Sequence, residues 1–342
     1  MKDNFWHTLK KPLMILAPMA DVTDAPFRRI IAAYGKPDVM FTEFTSADGM
    51  CSPGKDKVEV NLWYSESERP IVAQIFSSRP EHCYTAAVRI KELGFDGIDI
   101  NMGCPDRSIE KQGAGAAMIK NPQLAYEVIQ ASKEGAGGLP VSVKTRIGYN
   151  NNELETWLPT ILATGISAIT IHGRTRKEMS KVPADWDVIA RAGEIVRAYN
   201  RAAEGSTLII GNGDVDSIEE GVKKAKEYGV DGVMIGRGIF GNPWLFRRDG
   251  YAPTIEERLR VCAEHTKLFE ELFAGKKPFH IMKKHYKAYV SGFDGAKELR
   301  MKMMEAQDAK EVEEIIKKCS ANFSGTRDAP DITLSPGPTV IH

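Results

Sequence analysis

The chain has 342 residues, of which 42% are hydrophobic, and its 46 basic and 46 acidic side chains leave a formal net charge of zero. That length exceeds one average domain and predicts a large domain with a smaller companion. A neutral balance excludes polyanion binding by the whole surface, so any nucleic-acid contact must come from a local basic patch.

Residues 1–12 are polar and lysine-bearing with no apolar core, so no secretory signal is expected. No run of about 18 apolar residues follows, so no membrane span is expected. Short β-rich runs then recur at 15–19, 39–43, 71–76, 97–103, 141–147, 168–174, 208–214 and 232–237. They are continuous rather than alternating, as strands buried on both faces should be. Helix-like stretches separate them. Residues 81–93 end before Gly94, a natural C-terminal stop; 122–134 start at Pro122; 217–228 start at Ser217 with Glu220 three residues on. Eight strand-then-helix units predict an α/β fold, a (β/α)8 TIM barrel over residues 1–250. Past Pro243 no strands recur, and 254–273 and 296–319 read as helices, so a small all-helical C-terminal domain is expected over 251–320. Residues 321–342, rich in Gly, Ser, Pro, Asp and Thr, read as a disordered tail.

A barrel places chemistry at the C-terminal ends of its strands. Polar residues fall there: Glu43, Gln74, Asn101 and Cys104, Lys144 and Arg146, His172 and Arg174, Asn212 and Asp214, and Arg237. Each would be costly in a core of Val, Ile and Leu without a partner, so their convergence argues for an enzyme. Five scattered cysteines argue against a disulfide framework and for a reducing, cytoplasmic setting. Cys104 stands alone in Asn101-Met102-Gly103-Cys104-Pro105, at the mouth of a buried strand. A lone thiol on a tight Gly/Pro turn suits proton donation or nucleophilic attack, and no metal site is expected.

The other strand ends suit a phosphate and a flat ring. Gly211-Asn212-Gly213 and Gly236-Arg237-Gly238 offer unobstructed backbone N–H groups, with charge from Arg237. Lys144 suits the electron-rich edge of a flavin, or an ion pair with Glu43 or Asp99. Gln74 offers a donor and an acceptor to a flavin's pyrimidine edge. His172 suits phosphate or substrate contact, or a satisfied place in the core. Ala17-Pro18-Met19 forms a stiff apolar wall for a ring, or plain core.

Taken in order from about residue 13 to 316, these motifs, with His172-Gly173-Arg174-Thr175 and Val143-Lys144-Thr145-Arg146, resemble the tRNA-dihydrouridine synthase family. The resemblance implies an FMN-bearing barrel followed by a helical tRNA-binding domain. It implies reduction of uridine in tRNA to 5,6-dihydrouridine, with NADPH as reductant. Carried across by position, Pro18, Met19, Gln74, Lys144, His172, Asn212, Gly213, Asp214, Gly236 and Arg237 would bind FMN, and Cys104 would donate the proton. Asn101, Arg146 and Arg174 are candidate substrate contacts.

An extruded uridine requires a basic surface near the mouth. Residues 276–302 carry Lys276, Lys277, Lys283, Lys284, Lys287, Lys297, Arg300 and Lys302 against Asp294 and Glu298, a net of +6. Lys283, Lys284 and Lys287 are the candidate phosphate contacts. The interleaved Phe279, His280, His285, Tyr286, Tyr289 and Phe293 read as core. Two loops depart from the family pattern: the acidic 106–110 after the cysteine, and 178–183, which lacks the usual glycine. A monomer that binds tRNA and no membrane is expected. The competing reading is an FMN-barrel reductase of a small pyrimidine or enone, for which the lysine-rich helical region has no evident use.

Overall fold

The computed structural model describes residues 4–320. Nine strands, β1 (Leu13–Leu16), β2 (Met40–Phe41), β3 (Thr45–Ser46), β4 (Ile71–Phe76), β5 (Gly97–Met102), β6 (Val141–Arg146), β7 (Ala168–His172), β8 (Leu208–Asn212) and β9 (Gly232–Ile235), form one parallel sheet. Its order runs β1-β9-β8-β7-β6-β5-β4-β2, with β3 also on β4. The Leu16 N–H donates to Val39 O at 3.1 Å beside an Ile15–Val39 bridge, which closes the ring between its first and second positions. The eight-position barrel is therefore as the sequence predicts.

The second position alone is broken. Residues 39–43 read as one strand, but pairing stops after Phe41 and resumes at Thr45. At the break the Thr42 hydroxyl accepts from the Gln74 N–H at 3.1 Å and donates to Glu43 O at 2.9 Å. A side chain thus takes a backbone partner's place in the ladder.

Helices begin where short polar side chains hold free N–H groups. Asp24 accepts from the Phe27 N–H, Asp185 from Val188 and Ser217 from Glu220. Along the strands, inward positions change from apolar to polar. Leu13, Ile15, Val72, Leu208, Ile210 and Met234 pack with Trp6 as the barrel's inner core. Continuing on the same inward face lie Gln74, Asn101, Lys144, His172 and Asn212. The lower barrel is thus a sealed plug and the upper barrel a polar floor.

Beyond the barrel come helices Ile255–Phe273, Lys283–Tyr289, Ala296–Glu305 and Ala309–Ser320. The predicted 296–319 helix is two, because Asp308 accepts from the Glu311 N–H while Glu311 accepts from the Gln307 N–H, restarting the helix. These helices share one continuous apolar core with the barrel's outer layer. His285, Tyr286 and Tyr289 are fully buried in it and Phe279 and Phe293 partly, as the core reading of the aromatics expects, but His280 is exposed. The tail expected over 321–342 lies outside the described residues.

Candidate active site at the barrel mouth

A cavity of about 300 Å³ opens at the C-terminal ends of β6 to β9. Its wall includes Pro18, Met19, Lys144, Arg146, His172, Arg174, Asn212, Gly213, Asp214, Gly236 and Arg237, so most predicted residues are brought together. Strand register explains it: Arg146 pairs with His172, His172 with Asn212, and Asn212 with Met234. Four basic side chains and two acidic ones, Asp214 and Asp216, line the cavity, a net of +2 in a neutral protein.

Lys144 sits on the floor. Its Nζ donates to Asn212 Oδ1 at 2.9 Å, and the Asn212 Nδ2 donates to Met234 O at 2.8 Å. Neither Glu43 nor Asp99 pairs with it, and no carboxylate lies within 4 Å among the described residues. Burial, with Arg146 adding repulsion, pushes the ammonium down to about 8. His172 is held well below its ordinary range by burial and then by four nearby cations. Its Nε2 lies 3.1 Å from an Arg174 nitrogen; a guanidinium only donates, so Nε2 accepts and the ring proton is on Nδ1.

A half-buried ammonium with no carboxylate in contact is costly, so this floor calls for an anionic or electron-rich ligand. Gly236 leaves the wall open: an added Cβ would find nothing nearer than 3.7 Å, at Ala17 and Met19. The backbone at Gly213 has φ 129° and a Cβ there would meet Ala184 at 2.6 Å, so glycine is required. The cavity is at the low end of the roughly 300–1,000 Å³ of small-molecule sites. Its apolar Ala17–Met19 side, cationic floor and open glycine backbone fit a flavin with a phosphate.

Gln74, Asn101 and Cys104 lie beside the cavity rather than on its wall. Gln74 is fully buried; its Nε2 donates to Asp99 at 2.7 Å and its Oε1 accepts from Asn101 Nδ2 at 3.0 Å. The Asn101 Oδ1 accepts from the N–H groups of Gly103 at 3.1 Å and Cys104 at 2.9 Å. The chain Asp99–Gln74–Asn101 therefore fixes the backbone that presents the thiol. Cys104 is half-buried and packs with Phe44 on a small apolar cluster of Phe76, Ile109 and Ala114. Burial pushes its thiol above the ordinary cysteine range, against lowering by a backbone N–H at Asp106 and by Arg146 and Lys144.

Arg146 and Arg174 line the cavity but are occupied by protein partners. Arg146 Nε donates to Gly103 O at 2.7 Å, and its Nη1 to Thr175 O and Met179 O at 3.1 Å each. Arg174 pairs with Asp214 and donates to Val182 O at 2.6 Å; Arg237 also pairs with Asp214, at 2.8 Å. Sequence reasoning did not single out the wall residues Val215, Asp216 and Met234; Pro105 belongs to the cysteine motif, and Met179 and Ser180 to the 178–183 loop expected to border the substrate.

The lysine-rich helix Lys283–Tyr289 stands beside the mouth, with Lys284 Nζ 3.9 Å from Asp21, just past Met19. Lys284 and Lys287 are exposed and Lys283 half-buried. Lys277 is not free for RNA: it pairs at 2.8 Å with the buried Glu43.

The sequence profile described as Dihydrouridine synthase (Dus) matches residues 15–324. A Bacillus subtilis protein named probable tRNA-dihydrouridine synthase 2 is 44% identical over 319 residues, 92% of this chain and 96% of its own length. Proteins named probable tRNA-dihydrouridine synthase from Staphylococcus epidermidis and Staphylococcus aureus are each 42% identical, over 92% and 94% of this chain and 96% and 98% of theirs. Among the described residues no group of three or more His, Cys, Asp or Glu is placed to hold a metal, and no helix is long and apolar enough to cross a membrane.

Proposed function

As the chain belongs to the dihydrouridine synthase family, we propose that its barrel mouth holds FMN and that Cys104 is the acid in the reduction of a tRNA uridine. The protein is a flavin-dependent oxidoreductase that converts uridine in tRNA to 5,6-dihydrouridine. FMN as the particular flavin, NADPH as its reductant and the roles of individual residues are our reading. So are a helical tRNA-binding domain over 251–320, a monomeric state and a cytoplasmic setting.

Bound flavin supplies hydride to carbon 6 of the uracil. The chain's own residues hold the reactants and move the proton. Gly213, Gly236 and Arg237 would take the phosphate, Lys144 the ring's electron-rich edge, and Pro18 and Met19 one ring face. Asp214, tied to Arg174 and Arg237, orients those guanidiniums. Cys104 would give its proton to carbon 5 of the uracil. Its burial keeps the thiol protonated at neutral pH. Lys283, Lys284 and Lys287 would hold backbone phosphates while the target base is extruded.

The observation that carries this reading is the placing of Lys144, half-buried with no carboxylate within 4 Å, beside a half-buried thiol on the turn that follows the adjacent strand β5. The test is mass spectrometry of unmodified tRNA after incubation with the protein and NADPH. A gain of about two mass units at one uridine is expected, the two hydrogens of this chemistry. A yellow protein that leaves tRNA unchanged but reduces a small pyrimidine or enone would overturn it.

A further inference from the structure

The departing loop after Cys104 meets the chain just before the other departing loop, 178–183. Glu110, on the loop after Cys104, accepts from Arg176 Nε at 2.8 and 2.9 Å through its two oxygens, and pairs with the Arg176 Nη2 as well. The Glu110 side chain is only 9% exposed. The Arg176 guanidinium also lies 5.4 Å over the Tyr149 ring. We propose that Glu110 and Arg176 are positioning residues for the reduction: their ion pair clamps the loop that carries Cys104 to the loop that carries Met179, and so fixes the thiol beside the cavity. This rests on the reading of Cys104 as the acid.

Six further hydrogen bonds brace these loops. Arg146 bridges them, donating to Gly103 O on one and to Thr175 O and Met179 O on the other. The Arg176 and Lys177 N–H groups donate to Gly148 O and Tyr149 O, each at 2.9 Å, joining the loop after β6. Met179, on the cavity wall, has φ 57° and its N–H donates to Arg176 O at 3.2 Å. A non-glycine residue in that conformation is strained and persists only where its surroundings over-determine it. Connecting loops are ordinarily the least stable part of a fold. A two-point fork of guanidinium on carboxylate is the contact suited to fixing them.

By holding Ile109, which packs with the half-buried Cys104, the clamp also limits the water around the thiol. The charged and titratable groups facing Cys104 are Asp106 on its own loop and Arg146 and Lys144 on β6. None belongs to the ion pair, so breaking the pair acts on the thiol through position and hydration.

The test uses the full-length holoenzyme and three changes: Glu110→Gln, Arg176→Met, which keeps a stem over Tyr149, and the exchange Glu110→Arg with Arg176→Glu. Single-turnover reduction of tRNA is measured alongside peptide-resolved alkylation of Cys104 across pH. Misplacing a reacting group by about 1 Å costs up to about 10²-fold. The single variants should therefore lose on the order of 10- to 10²-fold in kcat, with KM for tRNA and flavin content unchanged. Their Cys104 should alkylate from a lower pH than in the parent, because a hydrated thiol ionises more readily. The exchange should restore both readings. General loss of stability would not move the alkylation profile of the folded fraction. If a single variant fails to fold, Arg176→Lys, which keeps the charge but not the fork, should fall between parent and Arg176→Met. An unchanged kcat and alkylation profile would overturn the proposal, as would a raised KM with kcat intact, which would make the pair an RNA contact. Cys104→Ala run in parallel separates the premises. If it turns over normally the acid reading fails; if it is inactive while the pair variants are normal, only the positioning role fails.

Discussion

The mouth of this barrel has two unlike halves. On the β6 to β9 side the floor is cationic and the wall backbone is open; Lys144 and neutral His172 stand among arginines. On the β4 to β5 side every polar group of the Gln74–Asn101 chain has a partner, and the neighbouring surface is aromatic and aliphatic. The same force, burial, acts on both reactive groups with opposite results. It pushes the Lys144 ammonium towards losing a proton and the Cys104 thiol towards keeping one. One half thus awaits an anion, and the other stores a proton for delivery.

The sharpest way to break that division is Cys104→Ala. It removes the acid and leaves the cationic half intact. Turnover should fall by about 10²–10⁴-fold, the range of a positioned general acid, while the protein stays yellow. Flavin absorbance and single-turnover product together check it; a colourless variant would mean that the halves are not separable.

A second change tests what holds the helical region to the apolar half. Glu43 is 2% exposed and accepts from the Asp21 N–H at 2.5 Å as well as from Lys277. Lys277→Ala leaves that carboxylate buried and unpaired, which should cost about 3–5 kcal/mol. Denaturant unfolding reads it. A cost below about 1 kcal/mol, the range of exposed pairs, would show that water reaches Glu43. Reversing charge at Lys283, Lys284 and Lys287 should instead spare stability and weaken tRNA binding. The slope of log affinity on log salt should flatten by up to about 2–3, at about 0.7–0.9 per lost phosphate contact. An unchanged slope in filter binding would place the RNA surface elsewhere.

How far these halves were legible in the sequence follows from how local their causes are. The cationic half is set by strand ends: register alone aligns Arg146, His172 and Asn212, so the motif order foretells the cavity. The barrel itself was legible for the same reason, since each strand's continuous apolar run reports its own burial. What was hidden depends on partners far apart in the chain. Glu110 and Arg176 are 66 positions apart, Lys277 and Glu43 234. The sequence counts Lys277 with the basic surface, and only the fold shows it in an ion pair. Arg146 and Arg174 look like substrate contacts by charge, but their donors go to backbone carbonyls and Asp214, which composition does not report. The split second strand was hidden because its cause is one hydroxyl of Thr42.

The smallest effect sharpens the comparison most. With its folded value near 8 against an ordinary 10.5, Lys144 binds fewer protons folded than unfolded between those values. In the flavin-free protein this group's contribution to stability therefore rises from about pH 8 to 10.5, the reverse of a lysine that gains an anionic partner. Binding an anionic flavin draws the ammonium back towards its ordinary value, so binding at pH 8 to 9 should take up a fraction of a proton. Calorimetric titration of flavin-free protein in buffers of different ionisation enthalpy measures that uptake. It should vanish in Lys144→Met and persist in Cys104→Ala, because the thiol's proton lies in the other half. Uptake lost in Cys104→Ala would show the two groups to be one coupled titration, and the mouth to have a single half.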